Sequence, residues 1–197
     1  MEPRQYGPRG PMQPIKELDH IERIKANLAN KPRDLALFVT GINTAYRASD
    51  ILSIDLGTAR KLRPGEPVVI REKKTGKRRP VSINHAVYDA LQPLLRARAS
   101  AGDDEPVFVG RKGRYDSMRL TVPTLGKLVK KWCSDVGLEG NYSSHTLRKT
   151  WAYHQRRTHK VGLELLQEAF GHSSSRVTLT YACVQSDELH AMYMKEI

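Results

Sequence analysis

Only two cysteines occur in the 197 residues, too few for a disulfide framework. Cys133 and Cys183 therefore read as small apolar side chains in a reducing compartment, the cytoplasm. No run nears the roughly 18 apolar residues that a membrane-spanning helix needs, and Glu2-Pro3-Arg4-Gln5 resembles no secretory leader. Acidic residues are short as well: 21 Asp+Glu stand against 33 Lys+Arg, giving a net charge of +12. Such an excess favours a polyanionic partner, because each neutralised phosphate releases condensed counterions. The nucleotide-binding pattern Gly-x-x-x-x-Gly-Lys-Ser/Thr is missing, as are zinc spacings and His-Glu-x-x-His. Carboxylates are sparse beside the basic stretches, which argues against a two-metal nuclease. The chemistry expected here uses no metal and no cofactor.

What remains suits one domain with a short extension. Residues 1–13 hold prolines, glycines and arginines with no apolar period and read as a flexible basic arm. Residues 14–197 form the domain. Pro14 opens a helical period through Ile15, Leu18, Ile21, Ile24 and Leu28. A second helix carries Leu35, Leu37, Phe38 and Val39, a break runs from Gly41 to Ala45, and a third helix carries Ile51, Leu52 and Ile54. The period then changes. Val68 to Ile70, a basic run from Arg71 to Arg79 with a Thr75-Gly76 turn, and Val81 with Ile83 predict a β-hairpin. Helices follow from His85 to about Ala99, around Leu125 to Trp132, from Ser144, and through Leu163 to Phe170. Gly171 ends the last of these, and a serine cluster caps a short helix carrying Tyr181. The class is mainly α with a small antiparallel β-hairpin.

Single features have ordinary explanations. Arg47 before the third helix fits a solvated base with Asp50 as its local partner. His145 and Arg148, at i and i+3, share a helix face, while Leu147 and Trp151 at i and i+4 face the core. A Gly-His step at Gly171-His172 and a tyrosine nine residues on fit a helix end and an amphipathic side chain. The basic hairpin tip, Arg71, Lys73, Lys74, Lys77, Arg78 and Arg79, fits a solvated face or a reach toward a phosphate backbone. Arg111, Lys112 and Arg114 add a second basic stretch.

In order, these pieces resemble the catalytic domain of the tyrosine recombinase (phage integrase) family, from about Pro14 to the C-terminus. Tyr46-Arg47-Ala48-Ser49-Asp50 is similar to its Arg-x-Ser-Glu/Asp box, and Lys74-Thr75-Gly76-Lys77-x-Arg79 to its hairpin lysine box. His145-Thr146-Leu147-Arg148-Lys149-Thr150 is similar to its His-x-Leu-Arg-His/Lys-Thr box, and Gly171-His172 with Tyr181 to its Gly-His and nucleophile pairing. The family's arginine often follows Gly-Leu; here Ala45-Tyr46 precede it, which leaves the local turn open.

The resemblance implies that fold and a DNA strand-exchange activity through a 3′-phosphotyrosine on Tyr181. Arg47 and Arg148 would grip the phosphate bidentately and His172 would add a hydrogen bond. His145 would hold or remove the phenol proton, and Lys74, with Lys73 and Lys77 as neighbours, would protonate the leaving 5′ oxygen. Arg71, Lys73, Lys77, Arg78, Arg79, Arg111, Lys112, Arg114 and Lys149 are the expected DNA contacts. The partner is double-stranded DNA, with a homotetramer across two sites and a monomer when free. Only about 13 residues precede the catalytic helices, where most members carry a separate clamp domain. This matches either a fragment or a short form similar to the recombinases that invert fimbrial promoter segments. Two other readings stand beside it: relaxation of DNA as by a type IB topoisomerase, and a DNA-binding regulator with an idle site.

Overall fold

The computed structural model describes residues 11–71, 76, 78–110, 119–172, 174–181 and 193–194. Among them the chain is mostly helical. Helix α1 (Leu18–Leu28) is followed by α2 (Pro32–Asn43), α3 (Ala48–Ser53) and α4 (Leu56–Lys61). Strands β1 (Pro67–Arg71) and β2 (Arg78–Ser82) pair antiparallel with Val68 opposite Val81. Then come α5 (His85–Ala97), α6 (Val122–Asp135), α7 (Ser144–Arg157), α8 (Leu163–Phe170) and α9 (Ser175–Tyr181).

The helix starts follow from local chemistry. Pro32 sits in the first turn of α2, where its missing N–H is no loss. Asp55, Asn84 and Thr121 each accept a backbone N–H three residues on and so begin α4, α5 and α6. At α7 the cap is Ser143 rather than Ser144: the Ser143 N–H donates to the Thr146 hydroxyl at 3.0 Å, and Ser144 is buried. Gly171 ends α8 at φ 61, left-handed backbone that glycine enters without strain.

Two sequence boundaries shift. The period beginning at Pro14 is not helix at its start: α1 begins at Leu18, and Leu18 itself is 58% exposed. Ile15 is fully buried all the same, as part of an extended segment laid against α7, so an apolar spacing of three mimicked a helix. The break foreseen from Gly41 to Ala45 starts later, because α2 continues to Asn43 and the non-helical stretch runs from Thr44 to Arg47. Gly41 is there for a close approach: a Cβ built on it would lie 2.5 Å from Leu147 Cδ1. The glycine lets α2 and α7 touch backbone to side chain.

One large core gathers buried residues from α1 to α7, including Phe38 packed edge-on against Trp132 at 5.8 Å between ring centres. A second, small cluster holds Ala45, Ala152, Leu166 and Phe170, with Trp151 and Tyr181 packed against it. Helix α7 lies between the two. Cys133 is buried in the large core, which pushes its thiol pKa up to about 12 and makes it an apolar filler. Cys183 lies outside the described residues. No described helix is long and apolar enough to cross a membrane.

Candidate active site

Phe170 is the plate on which the site is assembled. Its ring is fully buried; His172 stacks on it at 4.9 Å and 21°, Tyr181 tilts against it at 5.3 Å, and Trp151 meets it edge-on at 5.4 Å. The Arg148 guanidinium lies over the same ring at 4.5 Å and donates from Nη2 to the Phe170 carbonyl at 3.0 Å. Arginine over an aromatic face combines cation–π attraction with a fixed fork of donors. At 2% exposure this guanidinium is a charge kept inside the protein, close to a surface tyrosine.

The Tyr181 hydroxyl sits 3.1 Å from His145 Nδ1. Its ring centre is 5.2 Å from that of His172 and 5.6 Å from the Arg148 guanidinium carbon. Three elements thus converge: the first two turns of α7 supply His145 and Arg148, the stretch after α8 supplies His172, and the last residue of α9 is Tyr181. The expected shared face of His145 and Arg148 serves here to aim both at one phenol. Trp151, expected on the core side with Leu147, turns instead into the small cluster, whereas Leu147 enters the large core.

His172 is oriented from behind. Its Nδ1 is 3.1 Å from the Thr178 hydroxyl, which is 1% exposed, so the other ring nitrogen, Nε2, lies on the edge away from Thr178. Gln167 Nε2 donates to the His172 carbonyl at 3.2 Å. Sequence reading passed over Thr178 and Phe170. The only available signal was their spacing, Thr178 three residues before Tyr181 and Phe170 two before His172.

Arg47 caps the start of α3. Its Nη1 lies 3.9 Å from Asp50, whose carboxylate is buried and also accepts the Arg47 N–H at 3.4 Å. Two residues upstream, Ala45 packs in the small cluster with Phe170, which brings this turn to the site. Lys149 was expected on DNA, but it is 8% exposed and its Nζ donates to the Met12 carbonyl at 2.8 Å. That placement does not suit a solvent-facing phosphate contact. Lys73, Lys74, Lys77, Arg111, Lys112 and Arg114 lie outside the described residues, and Arg71, Arg78 and Arg79 are described by backbone alone. Among the described residues no cluster of three or more His, Cys, Asp or Glu could hold a metal ion. What the assembled groups can do is hold an anion beside a phenol and move the phenol's proton to an imidazole.

Residues 16–188 match the phage integrase family model. The probable integrase/recombinase YoeC of Bacillus subtilis is 31% identical over 92% of this chain and 95% of its own length. Tyrosine recombinase XerC of Caldanaerobacter subterraneus is also 31% identical, over 81% of this chain but 43% of its own, so the chain spans less than half of that relative. Among solved structures, XerH site-specific recombinase bound to palindromic difH substrate, a post-cleavage complex, superposes with a TM-score of 0.75 at 20% identity. That match covers 95% of this chain and 53% of the other, and it bears on the fold alone.

Proposed function

Since the chain belongs to the phage integrase family, we propose that it is a site-specific DNA recombinase cutting and rejoining strands through Tyr181. The observation that carries this is the Tyr181 hydroxyl 3.1 Å from His145 Nδ1, with the Arg148 guanidinium 5.6 Å from the same ring. The tyrosine oxygen attacks a backbone phosphorus, the P–O5′ bond breaks, and a 3′-phosphotyrosine forms. His145 takes the phenol proton. Arg47, Arg148 and His172 bind the phosphate oxygens as negative charge builds on them, a preorganised clamp that needs little reorganisation during reaction. Lys74, between β1 and β2 in the sequence, gives a proton to the 5′ oxygen. Because the phosphotyrosine keeps the bond energy, a new 5′-hydroxyl reverses the step without ATP.

The hairpin residues Arg71, Lys73, Lys77, Arg78 and Arg79, with Arg111, Lys112 and Arg114, are proposed to grip duplex DNA. The net charge of +12 supports this. A tetramer on two DNA sites, a monomer in free solution and a cytoplasmic location complete the reading.

Covalent trapping tests it. The chain is incubated with nicked duplexes tiled over DNA flanking its own gene, then run on a denaturing gel. Wild type should give a DNA-linked band, and Tyr181→Phe none, with unchanged duplex affinity. Salt-sensitive binding without any adduct would instead fit a regulator with an idle site.

A further inference from the structure

Lys149 follows Arg148 in sequence yet points elsewhere. Its Nζ donates to the Met12 carbonyl and lies 5.9 Å from the centre of the Tyr181 ring. Met12 belongs to a short segment fastened along α7 and the turn before it. The Gln13 N–H donates to the Asn141 carbonyl at 3.0 Å, and the Ile15 N–H donates to the Thr150 hydroxyl at 2.9 Å. The Ile15 carbonyl lies 3.0 Å from His154 Nε2, and Ile15 is fully buried.

We propose that Lys149 is a positioning residue for the Tyr181 nucleophile, held in place by the Met12 carbonyl. The segment in front of α1 thereby governs how well the nucleophile is aimed. An ammonium tied to one carbonyl is confined, and its charge remains within reach of the ring face, near the 6 Å limit of cation–π attraction. Restricting the swing of the ring restricts the phenol oxygen, and misplacement of a reacting atom by about 1 Å can slow a reaction about a hundredfold. Lysine suits this place because its four-carbon stem lines the interior while its three donors need a partner. The Met12 carbonyl is therefore linked to the nucleophile by one hydrogen bond and one cation–π contact: the carbonyl sets the amine, and the amine steadies the ring.

The inference rests on the covalent-cleavage reading, and its test separates the two. Single-turnover adduct formation is followed at saturating nicked duplex for the full chain and for Lys149→Met, Lys149→Arg and Gln13→Pro. Melting temperature and duplex affinity are measured alongside. Lys149→Met should cleave on the order of tenfold more slowly at unchanged affinity, and Lys149→Arg should recover most of the rate. Gln13→Pro, which removes the N–H holding the segment to Asn141, should slow cleavage too. Combining it with Lys149→Met should add little, the mark of one shared pathway. A Lys149→Met rate equal to wild type overturns the proposal. So does a loss that only tracks melting temperature and is not rescued by arginine. Weakened binding with a shallower salt dependence would make Lys149 a phosphate contact instead. Absence of any wild-type adduct would overturn both this proposal and the reading beneath it.

Discussion

The two clusters that share α7 differ in size and in what they hold. The large one is built of aliphatic and aromatic side chains with Cys133 among them, is filled from α1 to α7, and among its described members holds none of the candidate site residues. The small one has four buried members among the described residues, yet Arg148, His172 and Tyr181 all rest on Phe170 within it. Area removed from water scales with hydrophobic stabilisation, so fold stability belongs chiefly to the first. On the proposed reading, aim belongs to the second, where a few rings and hydrogen bonds set the positions of Tyr181, His145 and His172. A helix common to both lets a stable body present a small, precise surface.

That division can be broken by experiment. The largest expected effect on stability is Leu125→Ala. Leu125 is fully buried in the large core, so truncation should remove about 2–5 kcal/mol. Chemical denaturation reads the loss, and adduct formation well below the melting temperature should stay near wild type. A matching fall in cleavage rate would mean that the two clusters are one unit.

Thr178→Val acts on the other side at a smaller scale. It keeps the shape and removes the hydroxyl 3.1 Å from His172 Nδ1. Stability should change by about 1 kcal/mol, while single-turnover cleavage should slow roughly tenfold as His172 loses its orientation. If stability fell and cleavage did not, Thr178 would be packing alone.

The smallest effect concerns pH. Cys133 is held protonated by burial, with its pKa moved from 9.0 to about 12. Between those values the unfolded chain has lost a proton that the folded chain keeps, so this group's stabilisation declines as pH rises through that window and is fully present below it. Melting curves should therefore fall more steeply above about pH 9 for wild type than for Cys133→Ala. Equal slopes would show that solvent reaches the thiol in the fold.

Much of the site was legible because its chemistry demands particular side chains at short range in sequence. His145 and Arg148 at i and i+3 must share a face, and Gly171 was readable as a helix end because it follows an apolar helical run. Lys149 was expected in solvent because a lysine in a basic stretch looks solvated, and only the distant Met12 carbonyl turns it inward. Ile15 and Gly41 misled for a similar reason: their roles are set by α7, more than a hundred residues away.

Residue identity and spacing by themselves determined the helical class and the positive charge, and the ordered motifs, through the family they resemble, supplied the candidate set Arg47, Lys74, His145, Arg148, His172 and Tyr181. These depend on local periodicity and on which groups can hold a phosphate. Tertiary structure decided that Phe170 becomes the common plate, that Thr178 steers His172, and that Met12 reaches Lys149. Phe170 with Arg148, and Met12 with Lys149, join distant stretches that only packing brings together, while His172 and Thr178, six residues apart, meet because α9 packs against α8.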